Sequence, residues 1–395
     1  MTSSTASMRM ELDRIGGEAE LIAYSNNGVI KEAYFVTRAP VRGFEKMVMG
    51  KDPIFVVNAV MRICGICHAA HGIASSEAFE DAMGIAPPYN GRILREAIGL
   101  INRIQSHLLH LTLMLPDITP REKLGQYTIR VIKLYNTVSE ILGSLGGSPT
   151  HPSYIVIGGI SKMPSENMVA KTIDKTRKFI EEYKQLLQDL ETDYTEKVDV
   201  LRSRRYHVKY IATHLFYGDK YNISLDKIRI LRYEEYRGNN IPEEARRTTS
   251  MIALYADEKV EVGPRARLAI YRNFTGNTLW DIQEARFKEI MIDTEQILSL
   301  LDKIEYGEPT YTKILTYRRG KGVGVYEAPR GTLIHWVELD DNGRVKKYRI
   351  VVPTMFNIPH MEDAAIGFRE EYVDLVPRIY DPCVPCSTHV IRLSG

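Results

Sequence analysis

Residues 62–72 read RICGICHAAHG and residues 381–389 read DPCVPCSTH. These stretches hold the chain's four cysteines, Cys64, Cys67, Cys383 and Cys386, as two C-x-x-C pairs. Two thiolates so spaced can bind one metal from a single turn of chain, and two such pairs supply four soft ligands. Nearly the whole sequence separates the pairs. A shared metal therefore requires a fold that brings the two ends of the chain together.

Composition sets the frame. The 395 residues are 44% hydrophobic and 26% charged, with a formal net charge of +2. Those are the proportions of an ordinary globular protein with a large core. Mixed charge of both signs gives no footprint for nucleic acid or a membrane surface. No apolar run reaches the roughly 18–20 residues of a membrane span. The opening MTSSTASMRMELDRIGG lacks an apolar segment, so no Sec-type signal peptide is expected, and a twin-arginine signal on a partner chain stays open. Few cysteines, all in C-x-x-C pairs, point to metal binding in a reducing compartment rather than a disulfide framework. The expected location is the cytoplasm, with membrane association or export through a partner subunit as alternatives.

The rest of the chain reads as helices between small β-hairpins. Residues 19–39 alternate around Asn26-Asn27-Gly28 and predict a hairpin. Ile93, Leu94, Ile98, Ile101, Ile104, Leu108 and Leu111 recur at helical spacing up to Met114, with Asn90 as N-cap and Pro116 beyond the end. Further helices are predicted over 121–145, ending at Gly146-Gly147, over 165–199, and over 278–304. A second hairpin is predicted over 332–353 around DDNG, then a passage through Pro353 and Pro359 to a short helix near 361–371. The class is mainly α with small β-hairpins (α+β). No Pro/Gly/Ser-rich linker divides it, so residues 1–395 are read as one domain whose N- and C-terminal ends converge on the metal.

Paired C-x-x-C motifs read most simply as structural zinc. However, such pairs usually lie roughly 15–20 residues apart and staple a small module. The flanking residues say more. RICGIC with His71 behind it and DPCVPCSTH near the end resemble the large, catalytic subunit of nickel–iron hydrogenases. The resemblance extends through RGFEKMVMGKDP (42–53), GGSPTHPSYIVIGG (146–159), VGPRAR (262–267), YEAPRGTLIHW (326–336) and VVPTMFNIP (351–359). Within the family, VRGFEKMV and EVGPRARL resemble the cytoplasmic archaeal group that includes deazaflavin-reducing enzymes.

This resemblance implies a helical-bundle core and a binuclear centre. Nickel would be held by Cys64, Cys67, Cys383 and Cys386, with Cys67 and Cys386 shared with an iron that carries CO and cyanide. The reaction implied is reversible, heterolytic cleavage of H2 to protons and electrons. Cys383 is the expected proton acceptor, since a metal-bound thiolate stays deprotonated yet can take a proton. Arg330 would lie over the metals, as catalyst or as loop anchor. His71 would hydrogen-bond a bridging sulfur, or else be a satisfied core histidine. Asp117 is expected to pair with Arg330. His68 has no family role, and His107 and His110, at i and i+3, read as core or interface residues. Glu45, His389 and the backbone carbonyl of Ile358 would hold magnesium, although Glu45 alone would pass for a surface carboxylate.

Two departures from the family stand out. Where it usually carries R-x-E-G-H, whose Glu relays protons, this chain has Arg14, Ile15, Gly16, Gly17 and Glu18. Glycine cannot relay a proton, so Glu18 is the substitute candidate, or protons leave by another route. Secondly, VIRLSG follows His389. That is short for the extension many members lose after this histidine, so the expectation is a chain needing no processing, or a matured end that differs from the one given.

With every cysteine committed to one site, electrons must leave through another chain. An iron–sulfur small subunit is the expected partner, with a further acceptor subunit linked to flavin or deazaflavin, nicotinamide or quinone. Three competing readings are a regulatory H2 sensor with the same site, a structural zinc protein, and a complex I-like subunit. The last lacks the four-cysteine set.

Overall fold

The computed structural model describes residues 5–238, 241–314 and 316–388. The chain opens with an antiparallel sheet of β1 (Thr5–Leu12), β2 (Ala19–Asn26) and β3 (Val29–Thr37), in that order. The β2–β3 turn has Asn27 and Gly28 both at positive φ, 52° and 75°. Such a turn matches the twist of the strands it joins. The expected hairpin is present, and β1, which was not expected, adds to the free edge of β2.

Helices α1 (Phe44–Met47) and α2 (Pro53–Val60) lead into the first cysteine pair. Helix α3 (His68–Met83) leaves from Cys67. Next come α4 (Tyr89–Ile118) and α5 (Leu124–Gly146), the two-residue strands β4 (Ile155–Val156) and β5 (Gly159–Ile160), α6 (Glu166–Thr192) and α7 (Glu196–Ser203). A short antiparallel pair, β6 (Ile228–Leu231) and β7 (Ile252–Tyr255), brackets α8 (Tyr233–Arg237) and α9 (Glu243–Arg246). Helices α10 (Pro264–Arg272) and α11 (Trp280–Leu301) follow. A second three-stranded sheet, ordered β10–β9–β8, holds β8 (Gly320–Ala328), β9 (Gly331–Leu339) and β10 (Val345–Val351). The described chain ends with α12 (Pro353–Ala365), α13 (Leu375–Tyr380) and α14 (Val384–Ser387).

Helices α4, α5, α6 and α11 pack on one another as the helical core. Helix α4 is buried around nearly its whole circumference, so it carries buried Arg95, Arg103, His107, His110 and Asp117 beside its Leu and Ile residues. The other main packing is α3 against β8. A Cβ at Gly320, Gly322 or Gly324 would meet the carbonyl oxygens of Ala82, Ala78 and Ala74 at 1.9, 2.2 and 1.9 Å. Three glycines on one strand face thus form a track for the alanine stripe of α3, and the backbones touch.

Four expectations need correction. Asn90 lies inside the first turn of α4 and its N-cap is Pro88. The Asn90 amide donates to the carbonyls of Glu305 and Glu308 and its oxygen accepts from the Glu305 N–H, so it ties down the chain after α11. Pro116 lies within α4, near its C-terminal end, where the ring forfeits the bond to the Thr112 carbonyl and the helix ends two residues later at Ile118. The helix expected over 165–199 breaks after Thr192, because Asp193 turns to accept from Lys123 and Tyr127 at the start of α5. Lastly, Pro353 and Pro359 belong to α12, with Pro353 at the favoured first position.

Candidate metal centre

The segments around Gly16 and Cys383 lie side by side. Gly16 pairs with Cys383 in a parallel bridge; the Gly16 N–H donates to the Pro382 carbonyl at 3.2 Å, and the Val384 N–H donates to Gly16 O at 2.7 Å. Cys64 follows the 3-10 turn Met61–Ile63, and Cys67 occupies the N-cap of α3. Cys383 is the N-cap of α14 and Cys386 lies inside it. Arg42 donates to the carbonyls of Ile63 and Pro385, tying the two cysteine loops together.

All four cysteines lie outside any disulfide and are buried. Cys64 Sγ is 3.3 Å from Cys383 Sγ, Cys67 Sγ is 3.4 Å from Cys386 Sγ, and Cys383 Sγ is 3.0 Å from Cys386 Sγ. The four sulfurs lie within 4.8 Å of one another. Among the described residues, this is the one group of three or more His, Cys, Asp or Glu side chains close enough to share an ion. Hydrogen bonds from Cys383, Cys386 and Cys67 hold the Cys64 thiol well below its ordinary pKa. Hydrogen bonding with Cys383 pushes Cys67 well up, and burial does the same to Cys386. Such a group ionises in full only around a cation, and four sulfurs suit a soft one. The donor set therefore fits nickel and iron.

Arg330 closes the site from the β8–β9 turn. Its Nε donates to Asp381 O at 2.6 Å, its Nη2 to Asp381 Oδ1 at 2.8 Å and its Nη1 to Ser106 Oγ at 3.3 Å. Burial opposes its charge, but Asp381, and after it the sulfurs of Cys383, Cys67 and Cys64, raise its pKa above the usual arginine value. The turn itself is clamped. Arg267 donates to the carbonyls of Ala328 and Pro329 at 2.9 and 3.0 Å, and to both oxygens of Glu289 at 2.7 and 2.6 Å. Glu289 also meets His107 Nε2 at 2.8 Å. Burial alone would raise the Glu289 carboxyl; Arg267 and Arg103 overcome it and hold the group well below the usual range.

His71 Nε2 stands 3.5 Å from Cys386 Sγ, and His71 Nδ1 is 3.1 Å from His335 Nε2. Other expected residues are placed differently. Asp117 pairs with Arg14 at 2.7 Å, Lys197 at 2.7 Å and Arg378 at 3.4 Å, while the carboxylate on Arg330 is Asp381. Asp117 sits on the last turn of α4, where three cations from the chain's N-terminus, α7 and α13 converge on it. Glu18 is exposed, and no hydrogen bond among the described residues joins it to a cysteine. Gly16 fills the position instead, because a Cβ there would lie 3.0 Å from Pro382 O, and a Cβ at Gly17 would lie 2.7 Å from Pro385. A side chain at Gly17 would overlap Pro385, and one at Gly16 would need the cysteine loop to give by a few tenths of an ångström.

Glu45 accepts from the Ile350 N–H at 2.7 Å; burial pushes its carboxyl up to about 7. It lines an open cleft of about 970 Å³ with Trp336, Tyr348 and Arg349. Ile358 is buried in the middle of α12, and His389 lies outside the described residues. His68, His107 and His110 are all buried, and burial pulls their pKa values down to about 4, 4 and 3. Sequence reasoning missed Arg42, Asp381, His335 and the Arg267–Glu289 clamp. Arg42, Asp381, Arg267 and His335 each stood inside a quoted motif, but nothing local marked their partners.

The sequence profile of the family described as nickel-dependent hydrogenase matches residues 42–115 and 284–389. The coenzyme F420 hydrogenase subunit alpha of Methanocaldococcus jannaschii is 36% identical over 385 residues, covering 95% of this chain and 92% of the relative. The sulfhydrogenase 1 subunit alpha of Pyrococcus furiosus is 27% identical and covers 95% of this chain and 96% of the relative. Among solved structures, the Ni-Fe-Se hydrogenase of Desulfovibrio vulgaris Hildenborough shares the fold, with a TM-score of 0.83 at 21% identity over 98% of this chain and 100% of that one. Among the described residues, no helix is long and apolar enough to cross a membrane.

Proposed function

The chain belongs to the nickel-dependent hydrogenase family, and from that premise we propose how this member works. It is a hydrogenase catalytic subunit, and its reaction is the reversible cleavage of H2 into two protons and two electrons. The observation that carries this is the buried cluster of four sulfurs within 4.8 Å, assembled from opposite ends of the chain and faced by a charged arginine.

These thiolates would hold a nickel–iron centre, with CO and cyanide on the iron, that would supply soft, redox-active binding of H2. Cys64, Cys67, Cys383 and Cys386 would together hold the two metals. Cys383 Sγ is the proposed holder of the released proton, since a metal-held thiolate would stay deprotonated yet able to accept one. Arg330 contributes a fixed positive charge that needs no reorganisation during turnover. Asp381 orients that charge, and the Arg267 clamp holds the turn that bears it. His71 hydrogen-bonds Cys386 and draws electron density from it. With glycine at 16 and Glu18 exposed, the proton leaves Cys383 by a route other than the usual carboxylate. Glu45, the Ile358 carbonyl and His389 are the proposed magnesium ligands, on the strength of the RGFE motif.

All four cysteines serve one centre, so electrons leave through a partner, an iron–sulfur small subunit docked close to it. The final acceptor we propose is a deazaflavin, supported by the name of the Methanocaldococcus relative and by VRGFEKMV and EVGPRARL. The whole chain acts as one domain, in the cytoplasm. An infrared spectrum of the purified complex, with nickel and iron quantified on the same sample, tests the centre. Metal-bound CO and cyanide bands with about one nickel per chain are expected; zinc without such bands would overturn the assignment. H2-dependent reduction of a deazaflavin, against nicotinamide and quinone, tests the acceptor, and a turnover measurement separates an enzyme from an H2 sensor.

A further inference from the structure

The motif YEAPRGTLIHW contributes more to the centre than Arg330. His335, on β9, is fully buried, and it lies opposite Gly324 of β8 in the sheet register. Directly opposed residues point to the same face of a sheet. Gly324 is one of the glycines that let α3 touch the strand, so His335 faces α3 at the point of closest approach. Tyr348 of β10 lies opposite Val337, two residues along from His335, and therefore faces the same way. From α3, His71 and Ser75 meet this pair one helical turn apart.

The result is a line of four buried polar groups ending on a metal-site sulfur. Tyr348 Oη donates to Ser75 Oγ at 2.7 Å and is 2.7 Å from His335 Nδ1. His335 Nε2 is 3.1 Å from His71 Nδ1, and His71 Nε2 is 3.5 Å from Cys386 Sγ.

Direction along this line matters. A neutral imidazole donates from one nitrogen and accepts at the other. A neutral His71 can donate to an electron-rich Cys386 sulfur only if its Nδ1 accepts. His335 must then donate from Nε2 and accept at Nδ1, which requires the Tyr348 hydroxyl hydrogen to point at His335. Ser75 competes for that same hydrogen and accepts it in the bond seen here, so the two hydroxyl orientations of Tyr348 set opposite His71 tautomers.

We propose that His335 and Tyr348 are positioning residues that select the His71 tautomer presenting an N–H to Cys386, with Ser75 as the competing acceptor. This rests on the hydrogenase reading above. Hydrogen bonds to metal-bound sulfur draw charge from the metal and tune its electronics.

The test uses the purified holoenzyme complex and reads the CO stretching band, with nickel and iron content measured on the same samples. Tyr348→Phe removes the donor, so the CO band moves to lower wavenumber as charge returns to iron. Ser75→Ala removes the competitor and leaves the band in place or moves it higher. His335→Gln can keep an N–H toward His71 and holds the band near its wild-type position, whereas His335→Leu lowers it. A band unmoved in both Tyr348→Phe and His335→Leu, with metal content intact, overturns the proposal. So does a Ser75→Ala shift equal to that of Tyr348→Phe, since general loosening of the α3–sheet contact would treat both alike. If Tyr348→Phe fails to take up metal, the Gln and Leu variants at His335 decide alone. A wild-type complex without CO bands would instead remove the hydrogenase reading itself.

Discussion

Arg330 is held by Asp381, through a 2.8 Å contact to the carboxylate and a 2.6 Å contact to the backbone carbonyl of the same residue. Asp381 stands two residues before Cys383 and adopts the left-handed conformation, with φ at 55°. The turn that positions the guanidinium is therefore built into the loop that carries the cysteine.

That geometry bears on Arg330→Lys. A lysine keeps the charge but cannot reproduce the planar fork that reaches Ser106, the carboxylate and the carbonyl together. Metal content should be retained, because no thiolate is touched. H2 uptake should fall by about 10²-fold or more, the usual effect of removing one pre-organised charge or donor. Near-normal turnover would reduce Arg330 to a loop anchor.

Gly16→Glu restores the residue type the family usually carries near this position, and it should not restore a proton relay. A Cβ at Gly16 would lie 3.0 Å from Pro382 O and 3.5 Å from the Cys383 Cα. The strand or the cysteine loop must give way, which should lower nickel incorporation. Gly16→Ala should produce part of the same defect without offering any carboxylate. A Gly16→Glu variant with full nickel and faster turnover would show that the loop can yield.

What was legible in the sequence follows the range over which each signal acts. The cysteine pairs were legible because C-x-x-C is local and its chemistry belongs to the residue type. The hairpin at Asn27-Gly28 and the end of α5 at Gly147 were legible because positive φ is a local demand. The break between α6 and α7 was not, because Lys123 and Tyr127 of another helix cause it. Nor was the run of α12 through Pro359, since burial on nearly all sides of that helix outweighs the single lost hydrogen bond. Asp117 and Asp381 are both aspartates near quoted motifs. Only the fold decides that three cations reach the first and Arg330 the second.

Glu289→Gln tests the clamp behind the Arg330 turn. The carboxylate is fully buried and serves Arg267 through two bonds and His107 through a third. Neutralising it leaves the buried Arg267 with Glu327, at 3.1 Å, as its one remaining carboxylate among the described residues, and breaking such a buried pair costs up to about 3–5 kcal/mol. The expected outcome is a large fall in the urea midpoint or in the yield of folded chain. Loss of activity with unchanged stability would mean that the cluster tunes the site without supporting the fold.

Glu96 gives a pH dependence whose sign can be worked out. Burial, only partly offset by the Tyr217 N–H and the Gln296 amide, pushes its carboxyl up to about 7 from an ordinary 4.5. A folded pKa above the unfolded one means that the folded chain binds the proton more tightly. The stability this gives is complete below about 4.5, is lost as pH rises from there, and is gone above about 7. Within that window the slope is at most about 1.4 kcal/mol per pH unit from this one group. Glu96→Gln keeps an uncharged side chain at every pH, so the variant should lose this part of the slope and gain on the wild type above neutral pH. Urea midpoints measured across the window decide the matter. Parallel curves for the two proteins would mean that Glu96 is already ionised in the folded chain and that Tyr217 and Gln296 stabilise the carboxylate enough to keep it so.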